Sequence, residues 1–309
     1  MAARFFPQGV AVLFEQAPFG PALQQALAPF DADERPGTAQ HLFASTWAIP
    51  FRPELGGAVL VDALPRAWPD APGDPETDGA TFLARGAGAF GPGAWPGGLR
   101  RAAQGSPEAD AVALVERHRG VVRVRFTYAL DLPDDAPLAP AKRDAVDELA
   151  AVLEVAQAVL GIPGALAFYN PNAEVLVTPA SFARAAAVGR LPWPLVISVR
   201  NLPLEQPPGA WLLDTLGLGA QFDGAPSSLR DHEVLLEDDR FAPAEVDRLL
   251  RGLSATAITR GHDWQAGDQV DGPGGEPWIA QDRAEALVVP PRPVWRWSPA
   301  SQVGLLAPP

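Results

Sequence analysis

The stretch from residue 120 to residue 200 constrains the fold more than any other part of the sequence. In residues 120–130, apolar and polar side chains alternate, which predicts a half-buried strand with Arg123 and Arg125 on its polar face. From Pro140 to Gly161, apolar residues recur every three or four positions, which predicts a helix that begins at the proline and stops at the glycine. The spacing of apolar residues that is typical of a strand is thus followed by the spacing that is typical of a helix.

Residues 161–200 add a hairpin, a second helix and a last strand. Two short apolar runs flank the turn-forming residues 170–172, and Thr178-Pro179 offers a side-chain cap and a first-turn proline for a helix over residues 180–188. Residues 194–200 have the composition of a strand. The order β-α-β-β-α-β over residues 120–200 is typical of the ferredoxin-like unit, an antiparallel sheet with helices on one face. The sequence therefore predicts the α+β fold class.

The first 64 residues have the same opening order, β-α-β-β, which suggests a degenerate second copy of the unit. Residues 65–107 have proline or glycine every few positions, which predicts a loop or linker with one short helix near residues 80–87. The predicted domains are therefore residues 1–64, an α+β half; 65–107, a loop or linker rich in proline and glycine; 108–265, the ferredoxin-like half; and 266–309, an extended tail rich in tryptophan and proline.

The second half of the chain contributes weaker signals before that tail. Residues 232–237 are predicted to form a strand, and Pro243 is predicted to open a short helix. Residues 255–259 are predicted to form another strand. The segment from Trp211 to Phe222 combines an apolar run, Asp214 and Thr215 with two glycines, and it is interpreted as a structured turn.

Composition excludes several classes of function. The 309 residues include no cysteine, which excludes disulfides, thiolate nucleophiles and cysteine-bound metals. With 24 Lys and Arg against 37 Asp and Glu, the formal charge is −13, which argues against nucleic acid as a partner. No apolar run resembles a secretory signal or a bilayer span, so a cytoplasmic protein without a membrane partner is expected.

Few residues form a pattern that carries chemistry. Asp231-His232-Glu233 crowds three potential metal ligands, but neighbours in a strand point to opposite faces, so a solvated strand end is the simpler interpretation. His118 lies just before the alternating strand, and its simpler interpretation is a charged turn. No serine-nucleophile or phosphate-loop motif is present, so no catalytic residue, metal or cofactor is predicted. Trp193 and Trp211 are candidate contact residues because tryptophan is favoured at interfaces, although core packing is the commoner role.

Several segments resemble one bacterial family. They are Thr215-Leu216-Gly217-Leu218 followed by an acidic strand with Glu233, residues 164–182 (GALAFYNPNAEVLVTPASF), residues 191–200 (LPWPLVISVR), and His118 before an alternating strand. Over about residues 8–260 the chain is similar to the family described only as domain of unknown function 4261. That family has no established catalytic residues, so the resemblance implies no active site. It implies instead a likeness to immunity or accessory proteins encoded beside secreted toxins.

Three functional hypotheses follow. The leading one is a non-enzymatic protein that binds another protein, with an immunity factor for a basic secreted toxin as its specific form, because an acidic surface speeds association with basic partners. The first alternative is a metal-dependent or hydrolytic enzyme that uses His118, His232, Asp231 or Glu233. The second is a small-molecule binding module. The oligomeric state stays open.

Overall fold

Helices and largely antiparallel sheets make up both parts of the chain, which confirms the α+β class. The computed structural model describes residues 6–18, 20–36, 45–86, 88–130, 140, 143–189, 191–222, 229–261 and 263–303. The chain divides into two compact units, Met1–Val196 and Ile197–Pro309. Within the described residues, no helix combines the length and the apolarity that a membrane crossing requires.

The first unit is built on one antiparallel sheet of seven strands. Its strands are β1 (Gln8–Phe14), β2 (Asp33–Pro36), β3 (Ser45–Pro50), β4 (Ala58–Leu64), β5 (Gly120–Thr127), β6 (Ala165–Asn170) and β7 (Val175–Val177). They lie in the order β2-β3-β4-β5-β1-β6-β7. The first and last strands in this order are short, so the long apolar strands occupy the middle.

The helices of the first unit lie on both faces of this sheet. They are α1 (Gly20–Leu27), α2 (Gly79–Gly86), α3 (Gly98–Gly105), α4 (Ala111–Arg117), α5 (Ala145–Leu160), α6 (Pro179–Ala186) and α7 (Trp193–Val196). Helix α5 packs on β1, β5 and β6. It begins after Asp144, whose carboxylate accepts hydrogen bonds from the amides of Val146 and Asp147, and not at Pro140 as predicted.

The central strand β5 is buried on both faces and not half-buried as predicted. All eight of its residues are buried, and Arg123 and Arg125 are each only 1% exposed. Both guanidinium groups pair with the buried carboxylate of Asp62 on β4, at 2.6 Å from Arg123 and 2.8 Å from Arg125. The alternation in the sequence therefore reports an ion-paired core and not a solvated face.

The predicted linker, residues 65–107, is part of the core of the first unit. Trp68, Phe90 and Leu99 from this segment are buried against β1, β4 and β6. The ring of Trp68 stands edge-on to the ring of Phe90 at 5.3 Å and to that of Tyr169 at 5.1 Å. Helix α2 matches the predicted short helix, whereas α3 was not predicted. The linker prediction was wrong because large apolar side chains lie between the prolines and glycines.

The predicted ferredoxin-like arrangement is not present, although its element order is. Strands β5 and β6 both pair antiparallel with β1, so they run parallel to each other with β1 between them. Residues 194–196 belong to the helical turn α7, and the strand after it, β8 (Ser198–Pro203), belongs to the second unit. Because residues 1–64 and 108–196 share a single sheet, there are no two similar halves, and the domain boundary predicted near residues 65–107 lies at Val196 instead.

The second unit is built on a six-stranded sheet. After β8 its strands are β9 (Trp211–Leu216), β10 (Asp231–Leu236), β11 (Gln269–Asp271), β12 (Pro277–Arg283) and β13 (Val294–Pro299). They lie in the order β11-β12-β13-β10-β9-β8, and only β10 and β13 pair in parallel. The helices are α8 (Leu218–Gln221), α9 (Pro243–Arg260) and α10 (Ala300–Val303).

Two predictions for this unit were wrong. Residues 255–259 continue helix α9 and do not form a strand. The predicted tail, residues 266–309, supplies three strands of the sheet. Its aromatic residues Trp278, Trp295 and Trp297 are buried against α9. The strands at this end of the chain therefore supply a substantial part of the second core.

Candidate functional site

Strands β9 and β10 bring together most of the residues that the sequence singles out. They lie side by side with Glu233 opposite Asp214. Leu213 and Val234 on these strands face α9 and belong to its core. Because side chains alternate along a strand, Asp214 and Glu233 point to the opposite face of the sheet, where Asp231 also lies. The predicted structured turn at residues 211–222 is thus strand β9 followed by the short helix α8.

Three arginines that the sequence analysis missed pair with these three carboxylates. We call Asp214, Asp231, Glu233, Arg200, Arg292 and Arg296 the ion-pair cluster. The carboxylate of Asp214 accepts hydrogen bonds from Arg200 at 2.5 Å and from Arg292 at 2.6 Å. Arg292 also lies 3.2 Å from Asp231, and Arg296 lies 2.5 Å from Glu233. Burial raises the pKa of Asp231, against the attraction of Arg292.

The ion-pair cluster also holds the segment between β12 and β13 against the sheet. The amide of Leu287 donates to Glu233 Oε2 at 3.1 Å, and Arg200 Nη1 donates to the carbonyl of Val289 at 3.0 Å. Arg292 Nη2, from the same segment, donates to the carbonyl of Thr215 on β9 at 2.9 Å. Each carboxylate is therefore committed to partners of the chain itself, and the cluster's charges balance. This geometry supports a structural role.

No metal centre is formed by the candidate ligands in the described part of the chain. No group of three or more His, Asp or Glu side chains there could hold a metal ion. His41 and His262 lie outside the described residues. His232 points away from Asp231 and Glu233, as the strand alternation predicts.

His232 is buried in the core on the α9 side of the second unit. Its amide donates to the hydroxyl of Thr215 at 2.7 Å, and its Nδ1 accepts a hydrogen bond from Trp297 Nε1 at 3.3 Å. Burial lowers the pKa of the imidazole to about 3. His232 is therefore neutral at physiological pH. The hydroxyl of Thr215 accepts the hydrogen bond from its backbone amide.

His118 lies in the first unit and uses both ring nitrogens for the backbone. Its Nε2 accepts a hydrogen bond from the amide of Trp68 at 2.9 Å, and its Nδ1 donates to the carbonyl of Val115. Burial lowers the pKa of this imidazole as well. These hydrogen bonds hold the start of the segment that begins at Trp68. Because both ring nitrogens are engaged, neither is free to bind a ligand.

The two candidate tryptophans are both partly exposed, on different units. Trp193 is 36% exposed on α7 in the first unit, and Trp211 is 41% exposed at the start of β9 in the second. Trp211 lies opposite Leu236 at the end of β10 and opposite Pro203 at the end of β8. The loops that follow β10 and precede β9 therefore flank Trp211.

The loop after β10 is acidic, and the loop before β9 contributes one carboxylate. We call Trp211 and the exposed carboxylates of these loops and of the first turn of α9 the acidic end of the second unit; the carboxylates belong to Glu205, Glu237, Asp238, Asp239 and Glu245. None of these five carboxylates forms an ion pair among the described residues. The one arginine in the β10–α9 loop, Arg240, is bound to Glu276 and lies over the ring of Phe241. The exposed tryptophan therefore stands beside uncompensated negative charge.

No protein-family model, curated protein or solved structure matches this chain. The resemblance to the domain of unknown function 4261 family accordingly stays a prediction.

The acidic end was only partly accessible to sequence reasoning. Trp211 was singled out, but the carboxylates of the β10–α9 loop were not, because only the strand pairing shows that they flank it. The run Glu237-Asp238-Asp239 directly after an apolar strand was the available signal.

Proposed function

We propose that this chain is a non-enzymatic protein that binds a basic protein partner through the acidic end of its second unit. The observation that carries the proposal is the exposed ring of Trp211 between Glu205 of one flanking loop and the run Glu237-Asp238-Asp239 of the other, none of which forms an ion pair among the described residues. Tryptophan is over-represented among the side chains that dominate binding energy at interfaces. Carboxylates at the rim attract a basic partner and raise the association rate.

The specific form we propose is an immunity factor that holds a basic secreted toxin. Supports for this form are the net charge of −13 and the resemblance described above. The enzyme alternative finds less support, because His118 and His232 are engaged in the cores of different units and Asp231 and Glu233 are bound by arginines. A hydrolytic or metal-dependent reaction would need such groups to converge on an open site.

Replacing Trp211 by alanine is expected to weaken partner binding by at least about 2 kcal/mol, or about 30-fold in Kd, because the ring would supply a central apolar contact. The partner is first identified by cross-linking in cells that produce the chain, and is then purified for isothermal titration calorimetry. Trp193→Ala is the matched control, since it removes a similarly exposed tryptophan from the first unit.

The carboxylates provide a second arm of the same experiment. Glu237→Gln with Asp239→Asn is expected to lower the association rate at low salt, whereas Glu285→Gln, in the segment between β12 and β13 at the other end of the sheet, leaves it unchanged. A partner that is acidic, or one whose affinity is the same for Trp211→Ala and Trp193→Ala, would refute the proposal. If the partner is a toxin, co-production of the unaltered chain protects cells and co-production of Trp211→Ala does not.

A further inference from the structure

The first unit contains a cleft of about 430 Å³ on the face of the sheet that carries α5. One wall is formed by β3, β4 and the residue that follows β3, through Ile49, Val59 and Phe51. The other is formed by α5, through Asp147, Ala151 and Glu154. The volume lies within the range of about 300–1,000 Å³ that is usual for small-molecule sites. The cleft shares no residue with the acidic end, which belongs to the second unit.

Helix α5 leaves the cleft open because two of the residues that it turns towards the cleft, Ala150 and Ala151, are small. Asp147, Ala151 and Glu154 follow one another at spacings of four and three, which places them on one side of the helix. The opposite side of α5, with Leu149, Val152 and Ala156, is buried against the sheet. Larger side chains in place of the alanines would fill the space.

The aromatic walls of the cleft are held in place by the core. The ring of Phe51 stands edge-on to that of Phe126 at 5.4 Å, and the ring of Phe182 packs on that of Phe168 at 4.9 Å. Fixed aromatic walls can bind an apolar group without first having to be ordered. The cleft therefore suits a ligand with an apolar body.

The charged groups that line the cleft, among the described residues, are both carboxylates. Asp147 is bound by Arg52, whereas Glu154 is exposed and has no hydrogen bond or ion pair within the described part of the chain. Glu154 is thus the group that would meet the polar end of a ligand. A carboxylate beside an apolar pocket favours a cation over an anion.

We propose that this cleft binds a small apolar molecule that carries a protonated amine, with the apolar body against Phe51 and Phe182 and the amine next to Glu154. The proposal does not rest on the protein-binding function, since it concerns the other unit. It is compatible with the remaining alternative of the sequence analysis, a small-molecule binding module.

The test compares n-octylamine, n-octanol and n-octanoate, which share one apolar chain and differ in the charge of the head group. In calorimetry on the full chain at physiological salt, the amine is expected to bind best and the carboxylate least. Glu154→Gln should reduce the preference for amine over alcohol by about two- to fivefold, as expected for a solvent-exposed charge pair. Glu285→Gln, an equal charge change in the second unit, should leave that preference unchanged.

Filling the cleft separates specific binding from general attraction to an acidic protein. Ala151→Leu is expected to abolish binding of all three compounds, with folding checked by circular dichroism. If that variant does not fold, line broadening of the Phe51 and Phe182 ring signals on addition of n-octylamine to the unaltered chain locates the ligand. Binding that survives in folded Ala151→Leu, ring signals that do not respond, or equal affinity for amine and carboxylate would overturn the proposal.

Discussion

Replacing Asp62 by asparagine is expected to lower the free energy of unfolding of the first unit by about 3–5 kcal/mol. The carboxylate of Asp62 is fully buried and is shared by Arg123 and Arg125. Burial already lowers the pKa of Arg125 to about 9, against the attraction of Asp62. Without that carboxylate, two buried guanidinium groups lose their common counter-charge, and the remaining ring contacts with Phe6 and Phe90 are weaker than an ion pair.

Hydrogen exchange of the β5 amides during urea unfolding measures this change for the first unit alone. The control is Glu15→Gln, which breaks the pair with Arg117 at the surface, where both side chains are more than half exposed. Such pairs contribute at most about 1 kcal/mol. If Asp62→Asn destabilises β5 no more than Glu15→Gln does, the ion pairs of Asp62 with Arg123 and Arg125 do not hold the core of the first unit together.

The second large effect is a loss of stability of the second unit at low pH, which is expected because of His232. An ordinary histidine has a pKa near 6.5, whereas burial lowers that of His232 to about 3 in the folded protein. Between these values the unfolded chain binds a proton that the folded protein does not. The stability of the second unit should therefore fall as the pH falls from about 6.5 towards 3, by about 1.4 kcal/mol per pH unit from this group.

His232→Asn removes this titration and keeps an acceptor near Trp297 Nε1. Hydrogen exchange of the β10 amides between pH 6.5 and 4.5 is expected to give a flatter stability curve for the variant than for the unaltered chain. Asp231 contributes with the opposite sign, because its folded pKa is raised, but it is present in both proteins and cancels in the difference. Parallel curves for the two proteins would show that His232 is not kept neutral by burial.

Local patterns predicted the individual elements of the first unit well and their arrangement poorly. Strand β1, helix α1 and the β3–β4 pair match the order β-α-β-β predicted for the first 64 residues, although the short strand β2 was not predicted. The order of strands depends on which apolar faces meet, and β1 inserts between β5 and β6 although it is more than a hundred residues away in the chain. No local signal encodes that long-range pairing.

The candidate site shows the same limit at the level of single residues. The acidic residues of β9 and β10 were visible in the sequence, but their partners Arg200, Arg292 and Arg296 come from three separate segments. Arg123 and Arg125 were predicted on the polar face of a half-buried strand, because the sequence does not show that residues 65–107 cover them. An alternation of charged and apolar residues along a strand is therefore compatible with a strand at the surface or with a strand in an ion-paired core. Only the fold distinguishes the two.

Hydrogen exchange of the purified chain, with and without its partner, tests the proposed binding surface most directly. Slower exchange on binding is expected in the loops that flank Trp211, at residues 204–211 and 237–246, with no change in β5 of the first unit. Protection confined to the first unit, or no protection beside Trp211, would rule out this binding surface.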